Sequence, residues 1–182
     1  MSSTHPTVEH LNPSAVLDEL REVYVRVFAE PPYNESPDMA DEFIEWLSSE
    51  PATPGFDLVV ARDAGRLVGF ACGHTMPAGR WWRSAEQPPP AHIAATDTFA
   101  VREWAVLGAH RRRGIGRRLM AELLAGRPEP WATLVVNLDA DAWAIYQRWG
   151  WVRVGLSRPP RRPSMDVMVL DLRAGRLVRF AP

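Results

Sequence analysis

The stretch from His110 to Met120, HRRRGIGRRLM, decides the fold, because it joins an extended apolar run to an amphipathic one through a basic turn. Residues 99–107 before it are typical of a strand, and residues 117–124 after it place apolar side chains at helical spacing. Gly114 and Gly116 carry no Cβ, so an anion can approach the backbone closely. The free N–H groups and the dipole of the following helix favour such an anion. The sequence therefore predicts a turn that binds a pyrophosphate.

Two well-known nucleotide-binding turns do not match this stretch. Leu119 stands where the dinucleotide pattern G-x-G-x-x-G requires its third glycine, and no Gly-Lys-Ser/Thr follows as in a P-loop. Consecutive arginines are also common on solvated surfaces, which is the competing interpretation. The order of elements favours binding, because the strand, the basic turn and the helix are followed by a second apolar run at residues 131–136.

At this turn the sequence resembles the GNAT superfamily, the acyl-coenzyme A dependent N-acetyltransferases. The family's phosphate turn reads Gln/Arg-x-x-Gly-x-Gly/Ala, and Arg111, Gly114 and Gly116 match that pattern. The resemblance implies acetyl-coenzyme A (acetyl-CoA) as the cosubstrate. It assigns Trp104, Ala105 and Val106 to the pantetheine arm and Arg111, Arg112, Arg113, Gly114, Ile115, Gly116 and Arg117 to the pyrophosphate.

A second family pattern, Asn-x-x-Ala-x-x-x-Tyr-x-x-x-Gly-Phe, corresponds to residues 139–151. Tyr146 and Gly150 keep their positions, whereas Asp139 replaces the asparagine and Trp151 the phenylalanine. The resemblance implies that Tyr146 contacts the cosubstrate and protonates the departing thiolate, since a phenol with a pKa of about 10 holds its proton at neutral pH. A core tyrosine is the alternative. Asp139 falls at a cofactor-binding position, where a carboxylate cannot make every contact of an amide.

Acetyl transfer to an amine also needs a general base, because an amine with a pKa of about 10 is mostly protonated at neutral pH. Glu103 lies on the strand that leads into the turn. Enzymes resembling this chain often expose an acidic residue to the acceptor there, so Glu103 is a candidate for both catalysis and acceptor binding. A structural ion pair with an arginine is the alternative.

Charge is distributed unevenly along the chain. Residues 1–60 carry a net charge of −10 and the remainder +9, for a total of −1. In the family the first two helices and their loop wall the acceptor site, and here that region contains Glu30 and Tyr33. We expect a small-molecule primary amine as acceptor, cationic if this charge attracts it. Trp82, in the proline-rich segment between Met76 and Ile93, belongs either to the mouth of the site or to a packed surface flap.

The length of 182 residues fits a single domain over residues 1–182. The order of elements predicts an α/β fold of the GNAT type, with a mixed central sheet of about seven strands flanked by about four helices. We expect strands at 7–11, 57–62, 66–74, 99–107, 131–136, 150–155 and 165–172, and helices from about residue 15 to 29, 38 to 48, 117 to 124 and within 139–151.

Several other classes of protein are disfavoured. Cys72 is the only cysteine, no apolar run is long enough to span a membrane, and residues 1–5 do not resemble a secretion signal, so we expect a cytoplasmic protein without membrane contact. The five histidines lack metal-ligand spacing, so no metal is expected. Near-neutral charge argues against a nucleic-acid partner despite the arginines. A non-catalytic acyl-CoA sensor, a peptide N-terminal acetyltransferase and a homodimer paired through a C-terminal edge strand stay open.

Overall fold

The computed structural model describes residues 6–174, which contain a seven-stranded mixed sheet and five α-helices. The predicted α/β fold is confirmed. The sheet order is β1-β2-β3-β4-β5-β7-β6. The strands are β1 (Thr7–His10), β2 (Asp57–Asp63), β3 (Arg66–Met76), β4 (Thr98–Val106), β5 (Trp131–Asn137), β6 (Val152–Ser157) and β7 (Met165–Asp171). The helices are α1 (Leu17–Phe28), α2 (Pro37–Ser49), α3 (Ala91–Ala94), α4 (Ile115–Leu124) and α5 (Asp141–Arg148).

Most boundaries lie within two residues of those expected, and the differences have local causes. Residues 13–15 form a 3-10 turn capped by the Asn12 side chain, so α1 begins at Leu17. The short helix α3 was not expected inside the proline-rich segment. Among residues 6–174, no helix has the length and apolar character that a membrane crossing requires.

The described chain divides into two compact units, and the single-domain organisation stays a prediction. The first unit contains the described residues of Met1–Gly73 and Glu103–Leu123. Here β2 and β3 form an antiparallel hairpin, closed by Ala64 and Gly65 with φ of 49° and 79°. Positive φ at both central residues is typical of a tight two-residue hairpin turn.

Two layers of helix cover the sheet of this first unit. Phe43 of α2 stacks on Phe70 of β3, with ring centroids 5.6 Å apart, and on Tyr24 of α1, with centroids 4.7 Å apart. Leu119 and Leu123 of α4 are fully buried. An alanine Cβ built at Gly69 would lie 3.2 Å from Leu119, so α4 packs on the sheet face opposite Phe70.

The second unit contains the described residues of His74–Arg102 and Leu124–Pro182. Strand β5 pairs with β7 along its whole length, but its parallel pairing with β4 covers only the three pairs from Thr98–Trp131 to Ala100–Thr133. The segment before α3 lies along the edge of β6, where Ala85 bridges to Ser157. This contact covers part of the edge strand near Ser157.

Candidate active site

The turn between β4 and α4 has the backbone geometry of an anion-binding helix start. Arg112 and Gly114 have φ of 60° and 77°, and an alanine Cβ at Gly114 would meet nothing within 4 Å. The first helical hydrogen bond runs from Arg118 N to Gly114 O at 3.1 Å, so the preceding N–H groups are not used within α4. Open space beside Gly114 and unused amides fit an incoming phosphate.

Two arginines of the turn hold the turn itself in place. Arg111 donates from Nε to the carbonyl oxygen of Val106 at 3.0 Å and from Nη1 to Glu30 Oε2 at 2.7 Å. Arg113 donates from Nη1 to Asp63 Oδ2 at 2.8 Å. These contacts connect the turn to the end of β4, to the segment after α1 and to the β2–β3 hairpin. The side chains of Arg111 and Arg113 therefore have partners within the protein.

Arg112 and Arg117 differ from these two. Within residues 6–174 neither side chain makes a hydrogen bond or an ion pair, and Arg112 is exposed whereas Arg117 is partly buried. They are the basic groups of the turn that are available to an anion. The sequence pattern does not distinguish these arginines, because Glu30 and Asp63 come beside the turn only in the folded chain.

Gly116 lacks a side chain for a different reason from the one expected. A Cβ at Gly116 would lie 2.6 Å from Cζ2 of Trp104, and the Trp104 indole N–H donates to Gly116 O at 2.9 Å. The missing Cβ therefore makes room for the indole of Trp104 rather than for a ligand. The interpretation of Gly114 is unchanged, since the space beside it is open.

Glu103 lies on β4, one residue before Trp104, and is partly buried. Side chains alternate along a strand, so Glu103 faces away from α4, toward the side of the sheet covered by α1 and α2. Tyr33 packs its ring edge against Phe28, with centroids 5.1 Å apart. Glu30 is bound by Arg111, so its charge is compensated inside the protein.

Tyr146 belongs to the second unit, where the C-terminal cap of α5 fixes its backbone. Gly150, with φ of 90°, donates to Gln147 O and Trp151 donates to Tyr146 O, both at 3.0 Å. This pair of bonds is the Schellman arrangement, and the rings of Tyr146 and Trp151 make its usual apolar contact with centroids 5.6 Å apart. The spacing Tyr-x-x-x-Gly-aromatic is therefore a helix cap that positions the tyrosine.

A sequence model of the acetyltransferase (GNAT) family matches residues 17–151, which include both the turn and the capped helix. The chain belongs to the GNAT family of acetyltransferases. Searching the curated proteins gave no significant sequence match. Acetyltransferases of this fold use acetyl-CoA.

Solved structures with the GNAT fold resemble this chain over most of their length. A GNAT-family protein from Desulfovibrio desulfuricans is 17% identical, with a TM-score of 0.66 and coverage of 92% of this chain and 99% of the other. The Salmonella typhimurium protein yncA, solved with its cofactor acetyl-CoA, is 15% identical, with a TM-score of 0.64 and coverage of 93% and 95%. The ribosomal-protein-S18-alanine N-acetyltransferase of Escherichia coli is 18% identical, with a TM-score of 0.63 and coverage of 92% and 94%.

Asp139, the family's asparagine position, is exposed in this GNAT protein. Its N–H donates to Asn137 Oδ1 at 2.9 Å, and the N–H of Ala140 donates to Asn137 O at 3.1 Å. The buried Asn137 thus shapes the turn before α5. Asn137 was not among the predicted site residues, although an asparagine shortly before a helix start is a recognisable turn signal.

Trp82 of this GNAT protein is held by other residues of its unit. Its indole N–H donates to Thr133 Oγ1 at 2.9 Å, and the guanidinium of Arg102 lies 5.4 Å from its ring centroid. Thr133 is fully buried in β5. These contacts favour the packed-flap interpretation of the segment, and a role of Trp82 in acceptor binding stays a prediction.

A buried ion pair that was not predicted from the sequence lies just before β5. Arg127 donates from Nε and Nη2 to the two carboxylate oxygens of Glu129, at 3.1 and 3.0 Å, and Thr75 donates to the same carboxylate. Burial alone would raise the pKa of Glu129, but the hydrogen bonds from Arg127 and Thr75 hold it below its ordinary value. Residues 6–174 contain no group of three or more potential metal ligands.

Proposed function

We propose that this protein transfers the acetyl group of acetyl-CoA to the primary amine of a small molecule by direct attack. The start of α4 carries the proposal, because Arg112, Arg117 and the unused N–H groups beside Gly114 fit the pyrophosphate of that cosubstrate. When bound, acetyl-CoA supplies an acetyl group activated as a thioester. The family membership supports the same class of reaction.

In this proposal the backbone of β4 orients the pantetheine arm through Trp104, Ala105 and Val106. Among the described residues, β5 pairs only with the first three residues of β4, which are Thr98, Phe99 and Ala100. The backbone groups of β4 after Ala100 are therefore not used in pairing with β5. An extended arm can add to such a strand as a neighbouring strand does. The Val106 carbonyl also accepts from Arg111, which leaves its second lone pair for a further donor.

Glu103 and Tyr146 handle the protons. Glu103 removes a proton from the incoming amine, directly or through water, which creates the neutral nucleophile. Its position on the face opposite α4 supports this role, because the helices α1 and α2 cover that face. Tyr146 donates its phenolic proton to the departing thiolate. Its burial and its capped helix end support a fixed orientation.

The acceptor in this proposal is a small primary amine, either neutral or cationic. The Glu30 carboxylate is neutralised by Arg111, so it gives no support to a preference for cationic acceptors. The chain has a single cysteine, the buried Cys72, so it cannot form an internal disulfide, which supports our prediction of a cytoplasmic reaction.

The release of free thiol from acetyl-CoA tests the proposal with a panel of neutral and cationic small amines and a peptide with a free N-terminus. We expect turnover of small amines. Tyr146→Phe should lower kcat by about a hundredfold without weakening acetyl-CoA binding in calorimetry. Tyr24→Phe is the matched control, because it removes a hydroxyl of α1 that donates to Glu35, in the segment before α2, at 2.6 Å and should lower stability without lowering kcat.

Three outcomes would overturn the proposal in different ways. Acetyl-CoA binding without turnover of any amine would indicate a non-catalytic sensor. Turnover of the peptide alone would indicate a peptide N-terminal acetyltransferase. The absence of acetyl-CoA binding would remove the proposed cosubstrate site itself.

A further inference from the structure

Trp104 makes a contact with α4 that the proposed chemistry does not use. The Trp104 side chain extends from β4, and its six-membered ring lies against Gly116. Its indole N–H donates to Gly116 O at 2.9 Å. Gly116 lies in the first turn of α4, among the residues whose N–H groups face the proposed pyrophosphate. Trp104 therefore fixes the part of the helix on which cosubstrate binding depends.

We propose that Trp104 is a positioning residue for the pyrophosphate turn and that it restricts position 116 to glycine in this chain. The inference rests on the proposed function. The family pattern accepts glycine or alanine at this position. Here an alanine Cβ would lie 2.6 Å from Cζ2 and 3.2 Å from Cε2 of the indole, which leaves no room for it.

The indole of Trp104 cannot move away from a new Cβ at position 116 without losing its hydrogen bond. Cζ2 and Nε1 belong to the same rigid ring system, so a rotation that relieves the contact with a new Cβ also moves the N–H away from Gly116 O. The alternative is a shift of the α4 start away from β4. Either response changes the direction of the first-turn amides, which is the property that binds an anion.

The two ion pairs that hold the turn are weaker constraints. The Arg111–Glu30 pair has both side chains about 43% exposed, and Arg113 is 47% exposed in its pair with Asp63. Exposed ion pairs are typically worth about 1 kcal/mol or less. The partly buried indole combines a hydrogen bond with close packing against the helix, so we assign the main positioning role to Trp104.

Calorimetric titration with coenzyme A tests the inference on the full chain. Trp104→Phe keeps most of the ring but removes the donor, and should raise the Kd about fivefold. Gly116→Ala should raise it about tenfold. In the double variant Trp104→Leu with Gly116→Ala, the smaller side chain leaves room for the Cβ, so the glycine substitution should cost nothing beyond Trp104→Leu alone.

Trp143→Phe is the matched control. It also removes an indole donor, which bonds Asp166 Oδ2 at 3.0 Å, and should lower the melting temperature without changing the Kd for coenzyme A. If the wild-type protein does not bind coenzyme A, the proposed function fails. If it binds and Gly116→Ala costs as much in the Trp104→Leu variant as in the wild-type chain, or if Trp104→Phe has the wild-type Kd, the positioning role is wrong. Circular dichroism of each variant separates loss of binding from loss of folding.

Discussion

Replacing Gly150 with alanine should uncouple Tyr146 from its helix cap. Gly150 has φ of 90°, a conformation that costs a residue with a Cβ about 1–2 kcal/mol. The free energy of unfolding should fall by about that amount. Relief of the strain would lengthen the bonds that Gly150 and Trp151 donate into the last turn of α5, so the Tyr146 ring would shift. A displacement of about 1 Å in a catalytic group can lower kcat by about a hundredfold.

Urea unfolding and thiol release measure these two effects separately. Gly126→Ala is the control, since Gly126 also has a positive φ, 63°, and a Cβ there would meet nothing within 4 Å. Its stability loss should be similar, while its kcat should stay at the wild-type value. Asparagine tolerates the left-handed region better than alanine, so Gly150→Asn should recover part of the activity. If Gly150→Ala loses stability but keeps kcat, the cap does not position Tyr146; an equal kcat loss in Gly126→Ala would point to global destabilisation.

Other predictions follow from single side chains. Glu103→Gln should lower kcat about a hundredfold with an unchanged Kd for acetyl-CoA; an active variant would exclude Glu103 as the base. Glu129→Gln should cost about 3 kcal/mol in urea unfolding at neutral pH, because it removes the carboxylate charge that accepts two hydrogen bonds from the largely buried Arg127 side chain. Since the pKa of Glu129 lies below 4.5, its contribution should be complete above that pH and disappear as the pH falls through the lowered pKa. The hydrogen bond that His10 donates to the Asp57 carboxylate raises the pKa of His10 above 6.5, so the contribution of His10 should be complete below that pH and disappear as the pH rises through the raised pKa. In thermal melts recorded over a pH series, His10→Gln should reduce the fall in melting temperature at alkaline pH. Glu129→Gln should reduce the fall at acidic pH.

The sequence predicted the fold because the decisive signals are local. The hairpin is specified by the residues of its own turn, where Ala64 and Gly65 adopt positive φ. The helix α1 follows from apolar side chains at three- and four-residue spacing. The strand, turn and helix around Gly114 follow one another directly in the chain. Each of these patterns can be read without knowledge of distant residues.

Which arginines pair within the protein, and which are available to an anion, could not be predicted in this way. Arg111 pairs with Glu30, 81 residues away, and Arg113 pairs with Asp63, 50 residues away. The same holds for Gly116, because a glycine that makes room for Trp104 has the same sequence signal as one that makes room for a phosphate. The partner that explains each residue lies outside the local pattern, so only the fold reveals it.

The substitution of tryptophan for phenylalanine at position 151 shows how a motif can keep its geometry at a cost in stability. Trp151 preserves what the cap requires, since its N–H bonds Tyr146 O and its ring contacts the tyrosine. Its indole Nε1, however, is buried without a hydrogen-bond partner among the described residues. A buried unpaired donor costs about 1–3 kcal/mol. Trp151→Phe loses apolar packing, but it also removes the unpaired donor. These two effects should largely cancel, so the free energy of unfolding should change by less than about 1 kcal/mol. A much larger loss in urea unfolding would mean that the donor has a water or ligand as its partner.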